Sequence, residues 1–433
     1  MSLYVGIDIG TSACRACAID ARAALLADAR CPLPAAQRTP LGAQQDPAIW
    51  WQALQDCLDT LCRQVDARRI RRLAVDATSS TLLLCRSDGT PLGPGLMYND
   101  ARATGAAALI ERHAPPQSPA RGAASSLAKC LHLAADQADG DWRALHQADW
   151  LSGALSGDFR YGDENNALKL GYDIEHRRWP AWLAGLPLDT RRLPRVVPPG
   201  TPIGRLRPLL AQRWGCGPDV TVVAGTTDST ASFIAAARGA TGARPPATAV
   251  TVLGSTLVLK VLSERPVSAA RYGIYSHRLG DRWLVGGASN AGGAVLQALF
   301  TACDIKRFTR LLQPTVDTGL DYYPLPATGE RFPLRDPQMQ PRLQPRPASD
   351  AQFFQGILEG LAAIEARGYR LLAELGAPYP SRVLTAGGGA PNRGWQQIRA
   401  RRLQVPVVPA QHQEAAYGAA LLAFHGQALF AHP

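Results

Sequence analysis

The sequence predicts an α/β protein made of two duplicated domains, and three observations point there. The chain has 433 residues, too many for one ordinary hydrophobic core. It opens as strand, short turn and returning strand, followed by an amphipathic helix. The same strand–turn–strand pattern returns near residue 249, at the head of a second half.

In the opening, Leu3 to Ile9 is rich in Val and Ile, breaks at Gly10-Thr11-Ser12 and resumes through Ala18, with a turn near Asp20. Asp46-Pro47 supplies a capping carboxylate and a proline at the first helical position. Trp50, Leu54, Cys57, Leu58, Leu61 and Val65 follow at helical spacing and predict one buried stripe. Arg72 to Asp76 is a further strand ending in Ala77-Thr78-Ser79-Ser80, with Thr81 to Cys85 returning from it. Asp88-Gly89 makes a tight turn, and residues 111–217 read as helix and loop. Val220 to Ala224 is a continuous apolar strand that stops at Gly225-Thr226-Thr227-Asp228, before a helix of small residues reaching Ala237. The segment from Arg238 to Ala247 carries the composition of a linker. Beyond it Ala249 to Leu253, the Gly254-Ser255-Thr256 turn and Leu257 to Leu262 repeat the opening. Domains over residues 1–237 and 238–433 are therefore expected.

Composition narrows the function classes. Hydrophobic residues make up 46% of the chain and charged residues 19%, as in a globular protein. No apolar run reaches the roughly 18–20 residues that span a bilayer. The start lacks the basic region and long apolar stretch of a secretory leader, so a cytoplasmic protein without a membrane partner is the expectation. Nine cysteines are scattered and odd in number, which argues against a disulfide framework. Cys14 and Cys17 form a C-x-x-C, but on a strand residues three apart point to opposite faces, so two small buried side chains are the better reading. The net charge of +11 is carried almost wholly by arginine, without interleaved aromatic motifs of nucleic-acid binding. A solvated basic surface and no nucleic-acid partner are expected.

Two common nucleotide loops are missing: there is no G-x-x-x-x-G-K-[ST], and no G-x-G-x-x-G lies between an early strand and a helix. The chain offers instead glycine- and hydroxyl-rich turns at strand ends: Gly10-Thr11-Ser12, Thr78-Ser79-Ser80, Gly225-Thr226-Thr227, Gly254-Ser255-Thr256 and Gly387-Gly388-Gly389. Glycine lets backbone N–H groups approach phosphate oxygens, and hydroxyls add donors. Two carboxylates flank these turns. Asp8 is placed to hold Mg²⁺ directly or through water, or to form the turn. Asp228 is placed to take a proton from a hydroxyl, or to cap its helix.

These pieces, in this order, resemble the FGGY carbohydrate kinases: Gly6-Ile-Asp8-Ile-Gly10-Thr11, Asp76-Ala-Thr-Ser-Ser-Thr81, Tyr98-Asn-Asp-Ala-Arg102, Gly225-Thr-Thr-Asp228, Gly254-Ser-Thr256 and Gly387-Gly-Gly-Ala-Pro-Asn392, before a last helix from Glu414. The resemblance covers nearly the whole chain. It implies two actin-like (ribonuclease H-like) domains around a central catalytic cleft, each with a five-stranded sheet, the first binding sugar and the second ATP. It implies Asp228 as the catalytic base, with Asp8 and Thr11 attending Mg²⁺ and the transferring phosphate. Gly254, Ser255 and Thr256 become the second phosphate hairpin. Gly388, Gly389 and Asn392 become the adenine-ribose site, with Trp395 packing on the base or buried in its helix.

Within the family, Leu82-Leu-Leu-Cys85, Leu96-Met-Tyr-Asn-Asp-Ala-Arg102, Gly329-Glu-Arg-Phe-Pro333 and Arg382-Val-Leu-Thr-Ala-Gly-Gly-Gly389 are similar to the small D-ribulokinase-like branch. The Met-His-Gly typical of xylulokinases is replaced by Thr78-Ser79-Ser80. D-Ribulose is therefore the expected acceptor and D-xylulose the alternative, with Ser79, Asn99, Asp100 and Arg102 as sugar contacts. Asp100 capping a helix and Arg102 pairing with it is the structural alternative. A non-catalytic sugar sensor or a phosphohydrolase of the same superfamily would reuse the turns. Retention of Asp8, Thr11 and Asp228 together favours the kinase. A homodimer is compatible with the sequence.

Overall fold

The computed structural model describes residues 2–137, 140–238 and 247–430. Most of the expected linker, 239–246, lies outside the described residues. By contact the chain forms two compact units. One runs to Ala235 and adds His277–Gly280 and the segment from Glu414; the other holds Ala236–Ser276 and Asp281–Gln413.

The first unit is built on a six-stranded mixed sheet of β1 (Leu3–Ile9), β2 (Ala13–Asp20), β3 (Leu25–Pro32), β4 (Ile70–Ala77), β5 (Pro202–Arg205) and β6 (Thr221–Thr227), in the order β5-β6-β4-β1-β2-β3. β1 pairs antiparallel with β2 and parallel with β4; β4 pairs parallel with β6. The alternating and continuous apolar patterns bury β1 almost completely, as a strand covered on both faces requires. One cover is α1 (Pro47–Cys62). Asp46 accepts from the Ala48 N–H at its start, and Trp50, Leu54, Cys57, Leu58 and Leu61 are buried along one stripe.

The second unit repeats the plan. Its six-stranded sheet contains β7 (Thr248–Leu253), β8 (Leu257–Ser263), β9 (Tyr275–Leu279), β10 (Arg282–Ser289), β11 (Arg382–Ala386) and β12 (Val407–Pro409), in the order β9-β10-β8-β7-β11-β12. Here too the first strand, β7, pairs antiparallel with its hairpin partner β8 and parallel with β11, which pairs parallel with β12. Five strands thus match in order and direction between the units. The sixth differs. β5 is added beside β6 in one sheet and β9 beside β10 in the other. β5 is four residues long and begins with proline, an edge-strand composition that carries little sequence signal.

Two further expectations change. Leu82–Cys85 does not return along the main sheet; it joins a separate five-stranded sheet with the short strands 37–38, 43–45, 95–96 and 143–146. The chain turns out of the main sheet at Ser80, whose φ of 69° is left-handed. The terminal helix, Ala415–His425, groups with the first unit rather than with residues 238–413. It is apolar and small on every side, and lies so close to β1 that a side chain at Gly6 would collide with the Ala416 carbonyl and the Ala420 amide. A helix buried all round reads as domain core without saying which core.

Candidate active site

The first unit gathers its acidic residues through strand register. Asp8 on β1 sits opposite Arg15 on β2 and opposite Asp76 on β4, so three neighbouring strands place these side chains in one row. Arg15 Nη1 donates to Asp8 Oδ2 at 3.1 Å, and Arg15 Nε lies 3.3 Å from Glu414 Oε2. Asp8 is 4% exposed. Burial above all, then the charge of Asp228, pushes its carboxyl up to about 6, although Arg15 pulls the other way. Asp76 has no exposure, and its carboxyl lies against that of Asp8. Burial and the charges of Asp8 and Asp228 hold it well above the ordinary carboxylate range.

Asp228 enters this group through a bulge. Between Val223, opposite Ala74, and Thr226, opposite Asp76, β6 uses one residue more than β4. That step holds Ala224 and Gly225, and at Gly225 a Cβ would run into the Val75 carbonyl, so only glycine fits there without moving the strands. The extra residue re-aims the chain beyond it. Asp228 opens the helix Asp228–Ala236, is half-buried, and accepts from the Ser229 N–H at 2.6 Å. Thr11 and Ser12, at the β1–β2 turn, are exposed, and the Gly10 N–H donates to the Ala13 carbonyl at 3.0 Å.

The expected sugar contacts fall on two loops of the same unit. Ser79 is half-buried and Asn99 exposed. Asp100 pairs with Arg102, as the structural alternative had it. Its carboxylate is fully buried and accepts from the Ala43 N–H at 2.7 Å, the Arg102 N–H at 3.2 Å and Arg102 Nε at 2.9 Å, with Arg102 Nη2 at 2.8 Å. It caps no helix, since Ala103 holds that position. A carboxylate so enclosed holds Arg102 and the Ala43 strand in place.

In the second unit the Gly254-Ser255-Thr256 turn and the Gly387–Gly389 loop come together. Gly387 (φ 86°) packs on the Leu253 carbonyl, and the Gly389 N–H points to the same oxygen at 3.4 Å. Gly388 faces open space, and Ser255 is exposed. The Gly254 and Ser255 carbonyls are taken by the amides of Gly293 and Ala294, at 2.8 and 3.2 Å, which fixes the turn. Asn392 caps the helix Arg393–Leu403, accepting from the Trp395 N–H at 2.9 Å and donating to Thr309 Oγ1 at 3.3 Å. Trp395 is 4% exposed, and its indole N–H donates to the Leu358 carbonyl. It is a core residue, not a platform for a base, because its place on the helix faces the helix Asp350–Glu374.

Arg15 and Asp76 were not among the residues singled out for chemistry. Both stand directly opposite Asp8, and a register drawn from the predicted strands would have found them.

A model of the N-terminal domain of the FGGY family of carbohydrate kinases matches residues 3–122, and one of the C-terminal domain matches residues 249–426. Xylulose kinase of Escherichia coli (strain K12) is 23% identical over 415 residues, covering 92% of this chain and 84% of that protein. L-Fuculokinase of Salmonella typhi is 24% identical over 405 residues, 88% and 83% of the two chains. The crystal structure of a xylulose kinase from Brucella ovis superposes with a TM-score of 0.86 at 24% identity, over 98% of this chain and 90% of that one. Both halves of one family are thus matched in order along a single chain, and the protein belongs to the FGGY family of carbohydrate kinases, ATP-dependent phosphotransferases.

Proposed function

We propose that this kinase phosphorylates a terminal hydroxyl of a ketopentose, with D-xylulose as the first candidate acceptor. The observation that carries the reading is the group of three carboxyls at one end of the first sheet. Asp8 and Asp76 are buried, whereas Asp228 is half-buried. The kinases matched above include a xylulose kinase across most of the chain, which favours D-xylulose over D-ribulose.

In this reading Asp228 accepts the proton of the attacking hydroxyl, the oxygen bonds to the γ-phosphorus, and ADP leaves. Thr11 and the exposed β1–β2 turn meet the transferring phosphate, and Arg15 adds positive charge beside it. Ser79, Asn99 and Arg102 are the sugar contacts, with Asp100 holding Arg102. Gly254, Ser255, Thr256, Gly388, Gly389 and Asn392 serve the nucleotide. Residues 1–237 then supply the acceptor side and 238–433 the nucleotide side, apart from the terminal helix. The reaction belongs in the cytoplasm, where ATP is available.

Mg²⁺ fits this arrangement. The buried carboxyls of Asp8 and Asp76 lie together under the charge of Asp228, and Arg15 opposes them. Among the described residues no group of three or more His, Cys, Asp or Glu forms a metal cage. That suits an ion held by one or two carboxylates, with phosphate and water oxygens completing it. Asp8 would be the protein's ligand, and the bound ion would neutralise charge on the transferring phosphate.

D-Ribulose remains the second reading on one observation. Where xylulokinases typically carry Met-His-Gly, Thr78-Ser79-Ser80 keeps a left-handed third residue, Ser80 at φ 69°, but has no imidazole. An ATP-consumption screen over D-xylulose, D-ribulose, L-ribulose, L-xylulose, ribitol and glycerol separates them. The highest kcat/KM is expected for D-xylulose, with activity lost in excess EDTA and restored by Mg²⁺. Turnover of none of the six would sink the proposal, and metal-independent turnover would remove Asp8 from its role.

A further inference from the structure

The largest polar side chain sealed inside the first unit without a task in the chemistry above is Lys129, on the helix Ser126–Ala134. Its side chain has no solvent exposure. Burying a lysine costs far more than burying a leucine in the same place, so its ammonium must have a use there. Nζ donates to the Ser80 carbonyl at 2.8 Å and to the Tyr98 carbonyl at 3.2 Å, residues 49 and 31 positions away. Ser80 follows Ser79, and Tyr98 precedes Asn99. One side chain therefore joins the two loops that carry the sugar contacts.

Each loop is also secured at a second point. Thr78 Oγ1 donates to Gln147 Oε1 at 2.9 Å and shares a hydrogen bond with Thr81 Oγ1 at 2.6 Å. On the other side Asp100 binds the Ala43 amide and the Arg102 guanidinium. These bonds hold each loop to the scaffold, and the strands adjoining the loops pair at Leu82 and Leu96; among the described side chains, Lys129 bonds to both loops. The left-handed turn at Ser80 also needs such support, because a non-glycine residue there is strained.

We propose that Lys129 is the positioning residue of the acceptor pocket, fixing the spacing between Ser79 on one loop and Asn99 and Arg102 on the other. This rests on the assignment of those residues to the sugar. The charged groups acting on the ammonium are Asp100, which favours its charge, and Lys169, which opposes it; His146 is a third titratable group that it influences. Burial pushes Lys129 down to about 7. A neutral amine keeps two N–H donors for the two carbonyls but loses the charge that strengthens both bonds. The tie therefore loosens as pH rises through neutrality without breaking.

The test uses the full-length protein and the variants Lys129→Met, which keeps the length and removes the donors, and Lys129→Gln, which keeps an amide donor. Lys129→Met is expected to raise the sugar KM about tenfold, roughly the loss of one charge-assisted hydrogen bond, with the ATP KM unchanged. Lys129→Gln should fall between it and the parent, and it carries the test if Lys129→Met does not fold. The fall in sugar kcat/KM between neutral and alkaline pH should be shallower in both variants. Hydrogen exchange should quicken at residues 78–81 and 98–102 while β4 stays protected. Unchanged KM and exchange, or losses spread evenly over both substrates and the whole unit, would overturn the proposal. If the parent phosphorylates no sugar, the acceptor assignment fails, and the exchange data alone decide whether Lys129 ties the loops.

Discussion

Replacing Asp228 with asparagine keeps the shape of the side chain and removes its charge. The Ser229 N–H, now 2.6 Å from Asp228 Oδ1, can donate equally well to an amide oxygen, so the start of the helix should survive. Chemistry should not. General-base assistance supplies about 10²–10⁴-fold, or about 3–5 kcal/mol of barrier, and kcat should fall by that factor while sugar and ATP still bind. A second readout comes from the neighbours. Asp228 is the largest charge raising Asp8, whose carboxyl sits at about 6. Asp8 must be ionised to hold a cation, so metal binding should strengthen as pH rises through that value. Without the Asp228 charge, Asp8 ionises at lower pH, and the acid limb of Mg²⁺ binding should move down. Steady-state kinetics and a Mg²⁺ titration between pH 5 and 8 measure both effects. Full turnover in a folded Asp228→Asn protein would remove the base from the mechanism, and an unmoved acid limb would show that the carboxyls are not coupled.

Gly225→Ala places a methyl group against the Val75 carbonyl at the bulge. It should cost about 1–3 kcal/mol and depress kcat by displacing Asp228; a normal melting temperature and normal turnover would show that the bulge is not needed to aim the carboxylate. Trp395→Phe removes the indole donor to the Leu358 carbonyl while keeping an aromatic ring. Stability should drop by about 1 kcal/mol with the ATP KM unchanged, whereas a tenfold rise in that KM at unaltered stability would return Trp395 to the nucleotide site.

The parts of the fold that the sequence made legible are those encoded locally. The β1–β2 and β7–β8 hairpins, the α1 stripe with its Asp46 cap, and the duplicated opening all rest on residues close together in the chain. Less legible were elements whose place is decided by distant partners. The Leu82–Cys85 strand has the composition of any buried strand, and its sheet is fixed by pairing with residues 143–146. Two site residues carried alternative readings for the same reason. Asp100 and Trp395 each sit in a plausible motif, but their surroundings are set by Ala43 and Leu358, many residues away.

The same distinction explains why the acidic group was only half visible. Asp8 and Asp228 announce themselves because each stands beside a glycine-rich turn, a one-dimensional signal. Asp76 also precedes a hydroxyl-rich turn, Thr78-Ser79-Ser80, but without the glycine of the other two, and Arg15 is one of many arginines. What makes them a site is register: β1 lies between β2 and β4, so positions 15, 8 and 76 align across three strands. That alignment places a second buried carboxyl against Asp8, and ionising both there carries a cost. The cost becomes intelligible if a cation is present during the working cycle. The bulge at Gly225 then has a specific purpose. It lets Asp228 stand close enough to raise both acids while remaining half-buried.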